Sequence, residues 1–90
     1  MNPFELDVNL FSLISMLAAA CWQQLGKKPD PASGEVVLDL DGAQKSIDML
    51  LMLRDKMRGN LTDTEAKLLE DTISSLRANY AEEAAKDSAE

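Results

Sequence analysis

The sequence is poor in the residues that most often carry enzyme chemistry. It has no histidine, a single cysteine and an aromatic content of 4%. Without histidine it lacks the commonest general base and the commonest metal ligand. The acids Asp48, Asp55, Glu70 and Asp71 are spaced like solvated helix faces rather than as a catalytic pair. We therefore expect no enzymatic activity, no cofactor and no metal site.

Cysteine scarcity also indicates the compartment. Cys21 has no second cysteine with which to form an internal disulfide. A chain without disulfides fits a reducing environment, so we expect a cytoplasmic protein. We interpret Cys21 itself as a small, buried apolar side chain.

Basic residues are outnumbered by acids. Nine Lys and Arg stand against 16 Asp and Glu, which gives a net charge of −7. Such a chain is poorly suited to neutralising phosphates, so we expect no nucleic-acid partner. Its 90 residues allow one small domain. We place a single helical domain at 1–81 and an acidic tail at 82–90, which should fray because no large apolar residue follows Tyr80.

The N-terminal segment is apolar on most of its surface. No charged residue occurs from Val8 to Leu25, and we expect the first helix over about 4–25. Its apolar arc of about 200° is twice the ~100° stripe of a helix that covers one core. Polar residues such as Asn9 and Gln23 dilute the ~20 apolar residues that a membrane span needs, so we favour burial against protein over a membrane role. This helix should be buried on two sides.

Two further helices are expected after a connector at 26–38. Pro29 and Pro31 exclude regular helix from the connector, and we expect Val36 and Leu38 to attach it to the core. The second helix should span about 40–58, again with a wide apolar arc. The third helix should span about 63–84, with a narrower apolar arc.

The corner between these two helices carries clear signals. Gly59 suits a left-handed C-terminal cap, and Thr62 with Glu65 has the spacing of a capping box. Asn60 is expected to tolerate a left-handed or turn conformation there. So short a corner predicts an antiparallel αα-hairpin.

The expected fold is all-α: three helices, with the uncharged N-terminal helix packed on the C-terminal antiparallel αα-hairpin, in an oligomeric helical bundle. The candidate self-association residues are Phe11, Ile14, Leu17, Ala18, Trp22, Met49 and Leu53. The expected function is that of a non-enzymatic homo-oligomeric helical module with a structural or interaction role. The alternative is a protein that docks its apolar first helix on an unidentified protein partner or a membrane surface.

Several segments carry a family resemblance. They are Leu25-Gly26, the proline loop 28–31, Ile47-Asp48-Met49-Leu50 with Leu53, the corner 56–62 with Glu65, Leu68-Leu69, and Leu76-Arg77-Ala78-Asn79-Tyr80. Over about residues 4–81 the chain resembles a small bacterial family catalogued as a domain of unknown function, DUF1844. Met57 departs from the family pattern, in which a threonine often follows the lysine. The resemblance implies a cytoplasmic bacterial all-α protein and assigns no activity.

Overall fold

The computed structural model describes residues 5–89, and within that range the chain forms three α-helices. Their bounds are Val8–Gln24 for α1, Leu40–Lys56 for α2 and Asp63–Ala89 for α3. Among the described residues there is no strand beyond an isolated bridge between Leu25 and Leu38. Helix α1 packs against both α2 and α3. The expected all-α class, with three helices and α1 on the hairpin, is confirmed.

Helix α1 begins later than expected. The sequence placed its start near Phe4, which lies outside the described residues, whereas the helix begins at Val8. Asp7 is the N-cap, and its carboxylate accepts a hydrogen bond from the Asn9 N–H at 2.9 Å. The preceding backbone is held by the corner between α2 and α3, since the Thr62 hydroxyl donates to the Glu5 carbonyl at 2.6 Å. That tertiary contact keeps residues 5–7 out of the helix.

Polar and apolar contacts join the end of α1 to the beginning of α2. The Cys21 Sγ lies 3.6 Å from the Ala43 carbonyl oxygen. The Gln24 side chain is hydrogen-bonded to the Ser46 hydroxyl at 2.7 Å, and Ser46 is buried. With its amide nitrogen as the donor, Gln24 also reaches the Gly42 carbonyl at 3.0 Å. These contacts pair the C-terminal turn of α1 with the N-terminal turns of α2, so the two helices are antiparallel.

Helix α3 runs parallel to α1. Its first turn meets the first turn of α1 through Glu65, which accepts a hydrogen bond from the Asp7 N–H at 2.7 Å. Near its far end, Glu83 lies 3.1 Å from the Lys27 Nζ, just beyond α1. With 27 residues, α3 is about 40 Å long and accounts for most of the 49 Å length of the molecule.

The core is small, and all three helices contribute to it. Its buried members among the described residues are Ile14, Cys21, Leu25, Ala43, Ile47, Leu50, Leu69, Ile73 and Leu76. A domain of this size buries only about 60% of the surface of its unfolded chain. Much apolar surface is therefore left outside the core.

The corner between α2 and α3 has the expected local geometry. Helix α2 ends at Lys56 with Met57 as its C-cap, and Gly59, two residues further on, has a φ of 88°, in the left-handed region. Asn60 does not take the left-handed option; its N–H closes a turn on the Met57 carbonyl at 2.8 Å. The capping box is formed: Thr62 Oγ1 accepts from the Glu65 N–H at 3.2 Å, and Glu65 Oε1 accepts from the Thr62 N–H at 2.9 Å. Gly59 supplies the reversal, so Asn60 is not required to.

The connector is less attached to the core than expected. Val36 is 62% exposed and Leu38 is 42% exposed, so neither side chain anchors the loop. Backbone contacts hold it instead. The Asp39 N–H donates to the Gln24 carbonyl at 2.7 Å, and the Asp30 N–H donates to the Glu35 carbonyl at 2.8 Å. The prediction that Val36 and Leu38 pack inward was wrong, because backbone pairing leaves these side chains pointing to solvent.

The C-terminal segment is helical where fraying was expected. Helix α3 continues to Ala89, past the predicted end near Ala84. Lys27 and Lys86 both approach the carboxylates of Glu82 and Glu83, at 3.0 to 3.6 Å. Alanine-rich sequence with paired charges favours helix, and the long-range pairs from Lys27 add a tertiary anchor. Composition alone does not reveal that anchor.

Candidate functional site

The predicted self-association residues do not form one surface. Ile14 is only 2% exposed and belongs to the monomer core, so it is unavailable to a partner. Leu17, Ala18, Trp22 and Leu53 are partly buried and pack against that core. The remaining two, Phe11 and Met49, are 44% and 48% exposed. The expectation for Ile14 was wrong because its own hairpin covers it.

The position of α2 divides the exposed part of α1 into two flanks. At about 100° per residue, Gln24 lies about 80° from Ile14 on the side that α2 occupies. Phe11, Ala18 and Trp22 lie on the other side of Ile14, away from Met49 and Leu53 on α2. A single partner helix therefore cannot cover all the predicted residues at once.

A different apolar surface lies on the α2 side of α1. We call it the outer surface and define it by Leu13, Met16, Met49 and Met52. These side chains are 42%, 69%, 48% and 50% exposed, respectively. Because α1 and α2 are antiparallel and meet at their connected ends, the two methionines of α2 lie at about the height of Met16.

Sequence reasoning found only part of the outer surface. Met49 was among the predicted self-association residues, whereas Leu13, Met16 and Met52 were not. The available signal was the width of the apolar arcs on both helices. That width indicates surplus apolar surface, but only the direction of α2 shows which part of the arc is left open.

The chemistry of the outer surface suits contact with another protein. Methionine is flexible and polarisable, and it adapts to irregular partner surfaces. Helix α1 carries no Asp, Glu, Lys or Arg, so the surface has no charge to desolvate along that helix. Contiguous exposed apolar patches mark interaction sites more often than isolated hydrophobic residues do, so four large apolar side chains exposed on two packed helices make this surface a candidate.

The buried carboxylate of Glu65, at the corner between α2 and α3, stabilises the fold. Glu65 is buried, and its two carboxylate oxygens accept backbone N–H groups from Thr62 and Asp7. These two hydrogen bonds lower the pKa of the Glu65 carboxyl below the ordinary value of a glutamate. The Glu65 carboxylate is thus held in its charged form, and both of its oxygens are engaged by the fold.

The single thiol is equally unsuited to chemistry. Cys21 is 0% exposed, and burial raises its pKa from 9.0 to about 11. A nucleophilic cysteine needs the opposite shift and access to substrate. The expected role of Cys21 as a buried apolar residue agrees with this geometry.

One surface cavity of about 340 Å³ lies between the end of α1 and the connector. Asp30, Glu35 and Asp39 line it together with Gln23 and Gln24. Asp30 and Asp39 accept backbone N–H groups of their own turns, so both carboxylates serve local structure. Among the described residues no group of His, Cys, Asp and Glu is arranged to hold a metal ion. Nor does any helix there have the length and apolar character needed to cross a membrane.

Comparison with known proteins agrees with the sequence motifs. The family model described as "Domain of unknown function (DUF1844)" matches residues 7–82, which include all of α1 and α2 and most of α3. The chain finds no match among curated proteins and none among solved structures. The match spans the greater part of the chain and includes the corner, the connector and the outer surface. The chain belongs to the DUF1844 family.

Proposed function

We propose that this protein is a self-associating helical module with a structural or adaptor role in the cytoplasm, and that it is not an enzyme. The observation that carries the proposal is the outer surface, on which four large apolar side chains of α1 and α2 lie open to solvent. The surface joins two helices of the core, so a partner that covers it would extend the hydrophobic core of the chain.

The energetics favour a partner on this surface. Burial of apolar area contributes about 25 cal/mol per Å², so covering a few hundred Å² contributes several kcal/mol. Small domains without disulfides or metals often gain stability through oligomerisation. The fully buried core of nine residues in the described part of the chain is modest, which makes that contribution significant.

The test is the molar mass in solution with a matched pair of variants. Size exclusion with light scattering at tens of micromolar should give a dimer or a higher oligomer for the native protein. Met16→Glu places a charge in the outer surface and should shift the mass to the monomer. Ser74→Glu adds the same charge at an exposed position of α3 and should leave the oligomer intact. Circular dichroism should be unchanged in both, since both positions are exposed.

The outcome that contradicts the proposal is a native monomer at these concentrations. In that case, flotation with vesicles of neutral and anionic lipid tests whether the apolar helix docks on a membrane surface instead. Co-flotation of that monomer, abolished by Met16→Glu, would assign the outer surface to a membrane surface in place of self-association.

A further inference from the structure

We propose that the occupant of the outer surface is a second copy of this chain whose α1 lies antiparallel to the first, with Met16 of both copies at the two-fold axis. This inference rests on the proposed self-association and adds the geometry of the interface. Met16 is the most exposed of the four residues of the outer surface, at 69%, and it is the middle residue of α1. A two-fold arrangement brings the same surface of each copy together.

Charge at the ends of α1 selects the antiparallel orientation. The nearest charged residues before the helix are Glu5 and Asp7, and those after it are Lys27 and Lys28. Two parallel copies would place acids beside acids at one end and lysines beside lysines at the other. Two antiparallel copies place the acids of each copy beside the lysines of its partner, which is the complementary arrangement.

Two of these charges form no ion pair with another residue in the described range 5–89. Lys27 is engaged by Glu82 and Glu83, and the Asp7 carboxylate caps α1. The Glu5 carboxylate and the Lys28 ammonium, by contrast, are exposed and form no ion pair with any described residue. Glu5 precedes α1 by three residues and Lys28 follows it by four, so antiparallel copies with Met16 at the axis bring Glu5 of one copy to the same end of the contact as the partner's Lys28.

The side chains along the helix match in the same register. When Met16 faces the partner's Met16, Asn9 faces the partner's Gln23, which pairs two amides at the edges of the contact. Leu13 lies next to the partner's Ala20, so a large side chain meets a small one. All these positions fall on one stripe of α1 about 80° wide. Complementary size at the centre and polar groups at the rim are typical of protein interfaces.

Cross-linking between single-cysteine variants tests the orientation. Helices in contact lie 8–10 Å apart, so a short bismaleimide spans facing positions. Asn9→Cys and Gln23→Cys proteins, one carrying a size tag, are mixed, allowed to exchange and treated with the reagent. We expect a tagged–untagged product in the mixture and little product from either protein alone. The native protein serves as the blank, because its buried Cys21 should not react.

Each other result overturns a defined part of the inference. Products from Asn9→Cys alone and Gln23→Cys alone would show a parallel pair, and the antiparallel geometry would be wrong. A dimer that gives no product in the mixture, while Met16→Cys also gives none, would place the interface elsewhere. A monomeric native protein would overturn the proposed function itself, which light scattering detects separately. Ser74→Cys on α3 should give no product in any case.

Charge exchange provides an independent readout. Glu5→Lys and Lys28→Glu should each raise the dissociation constant of the dimer by roughly three- to tenfold, since each removes two symmetric exposed pairs. The double variant Glu5→Lys/Lys28→Glu restores opposite charges and should return the constant to near the native value. Additive weakening in the double variant would contradict the proposed pairing. The constant is measured by sedimentation at low salt, where exposed charges interact most strongly.

Discussion

Asp7 and Glu65 stand 58 residues apart in the sequence and are joined by a hydrogen bond of 2.7 Å from the Asp7 N–H to Glu65 Oε2. The same carboxylate holds the Thr62 N–H through its other oxygen. One side chain therefore caps α3 and also anchors the beginning of α1. The corner, which looks like a local helix start in the sequence, is the point at which the N-terminal segment attaches to the hairpin.

Glu65→Gln should make the protein less stable at neutral pH and less sensitive to acid. The folded state lowers the pKa of Glu65 below 4.5, so its stabilising contribution is present above that pH and is lost as pH falls further toward the folded pKa. A glutamine at this position does not titrate. Its amide NH₂ group would face one of the two backbone N–H donors, those of Asp7 and Thr62, that the carboxylate oxygens accept. In denaturant unfolding measured from pH 7 to pH 3, the free energies of unfolding of the two proteins should converge as pH falls.

The paired acids at the end of α3 do not interfere with this comparison. Glu82 and Glu83 also have lowered pKa values, caused mainly by hydrogen bonds from Lys86, but both remain in each protein. A gap between native and Glu65→Gln stabilities that stays constant over the whole pH range would contradict the role assigned to the charged carboxylate.

Leu50→Ala should destabilise the protein by about 2–5 kcal/mol, because it opens a cavity at a fully buried position. Val36→Ala removes apolar atoms from a side chain that is 62% exposed, and its effect should stay within about 0.5 kcal/mol. Urea unfolding at a fixed protein concentration measures both. A large effect of Val36→Ala would mean that the connector packs on the core after all.

The Cys21 thiol should be nearly inert in the folded protein. Burial with a pKa of about 11 leaves little thiolate at pH 8 and no access for a reagent. Labelling with an aromatic disulfide at pH 8 should be far slower in buffer than in denaturant. Rapid labelling of the native protein would show that α1 opens readily from α2.

Lys27→Gln should loosen the last turns of α3. Lys27 is the contact through which the end of α1 holds Glu82 and Glu83, at 3.6 and 3.1 Å. Hydrogen exchange over residues 82–88 should become faster, while exchange at the corner stays unchanged. Lys45→Gln, at an exposed site of α2, removes the same charge as a control. Equal exchange in native protein and Lys27→Gln would show that alanine-rich sequence alone maintains this helix.

Local signals made the hairpin predictable. Gly59 reverses the chain, and Thr62 and Glu65 cap α3 through their immediate neighbours, so the geometry of the corner follows from spacing alone. The start of α2 agrees with the expected position near residue 40, and the structure gives Asp39 as its N-cap. Asn60 was less predictable, because a glycine beside it had already supplied the left-handed residue.

The ends of the chain were harder to predict, because tertiary contacts set them. Helix α1 starts at Val8 since Glu5 and Asp7 are bonded to Thr62 and Glu65. No pattern within α1 encodes a contact with residues so distant in the sequence. The length of α3 likewise depends on Lys27, which lies outside that helix.

The amino-acid sequence by itself determined the helical class, the hairpin and the presence of more apolar surface than three helices can bury. These follow from periodicity and capping, which act over a few residues. Only the tertiary structure decided which apolar residues remain open: Ile14 is buried, whereas Met16 is exposed two positions along the same helix. The physical reason is that a helix with a wide apolar arc can present any part of it to the core, and the choice depends on where its neighbours pack.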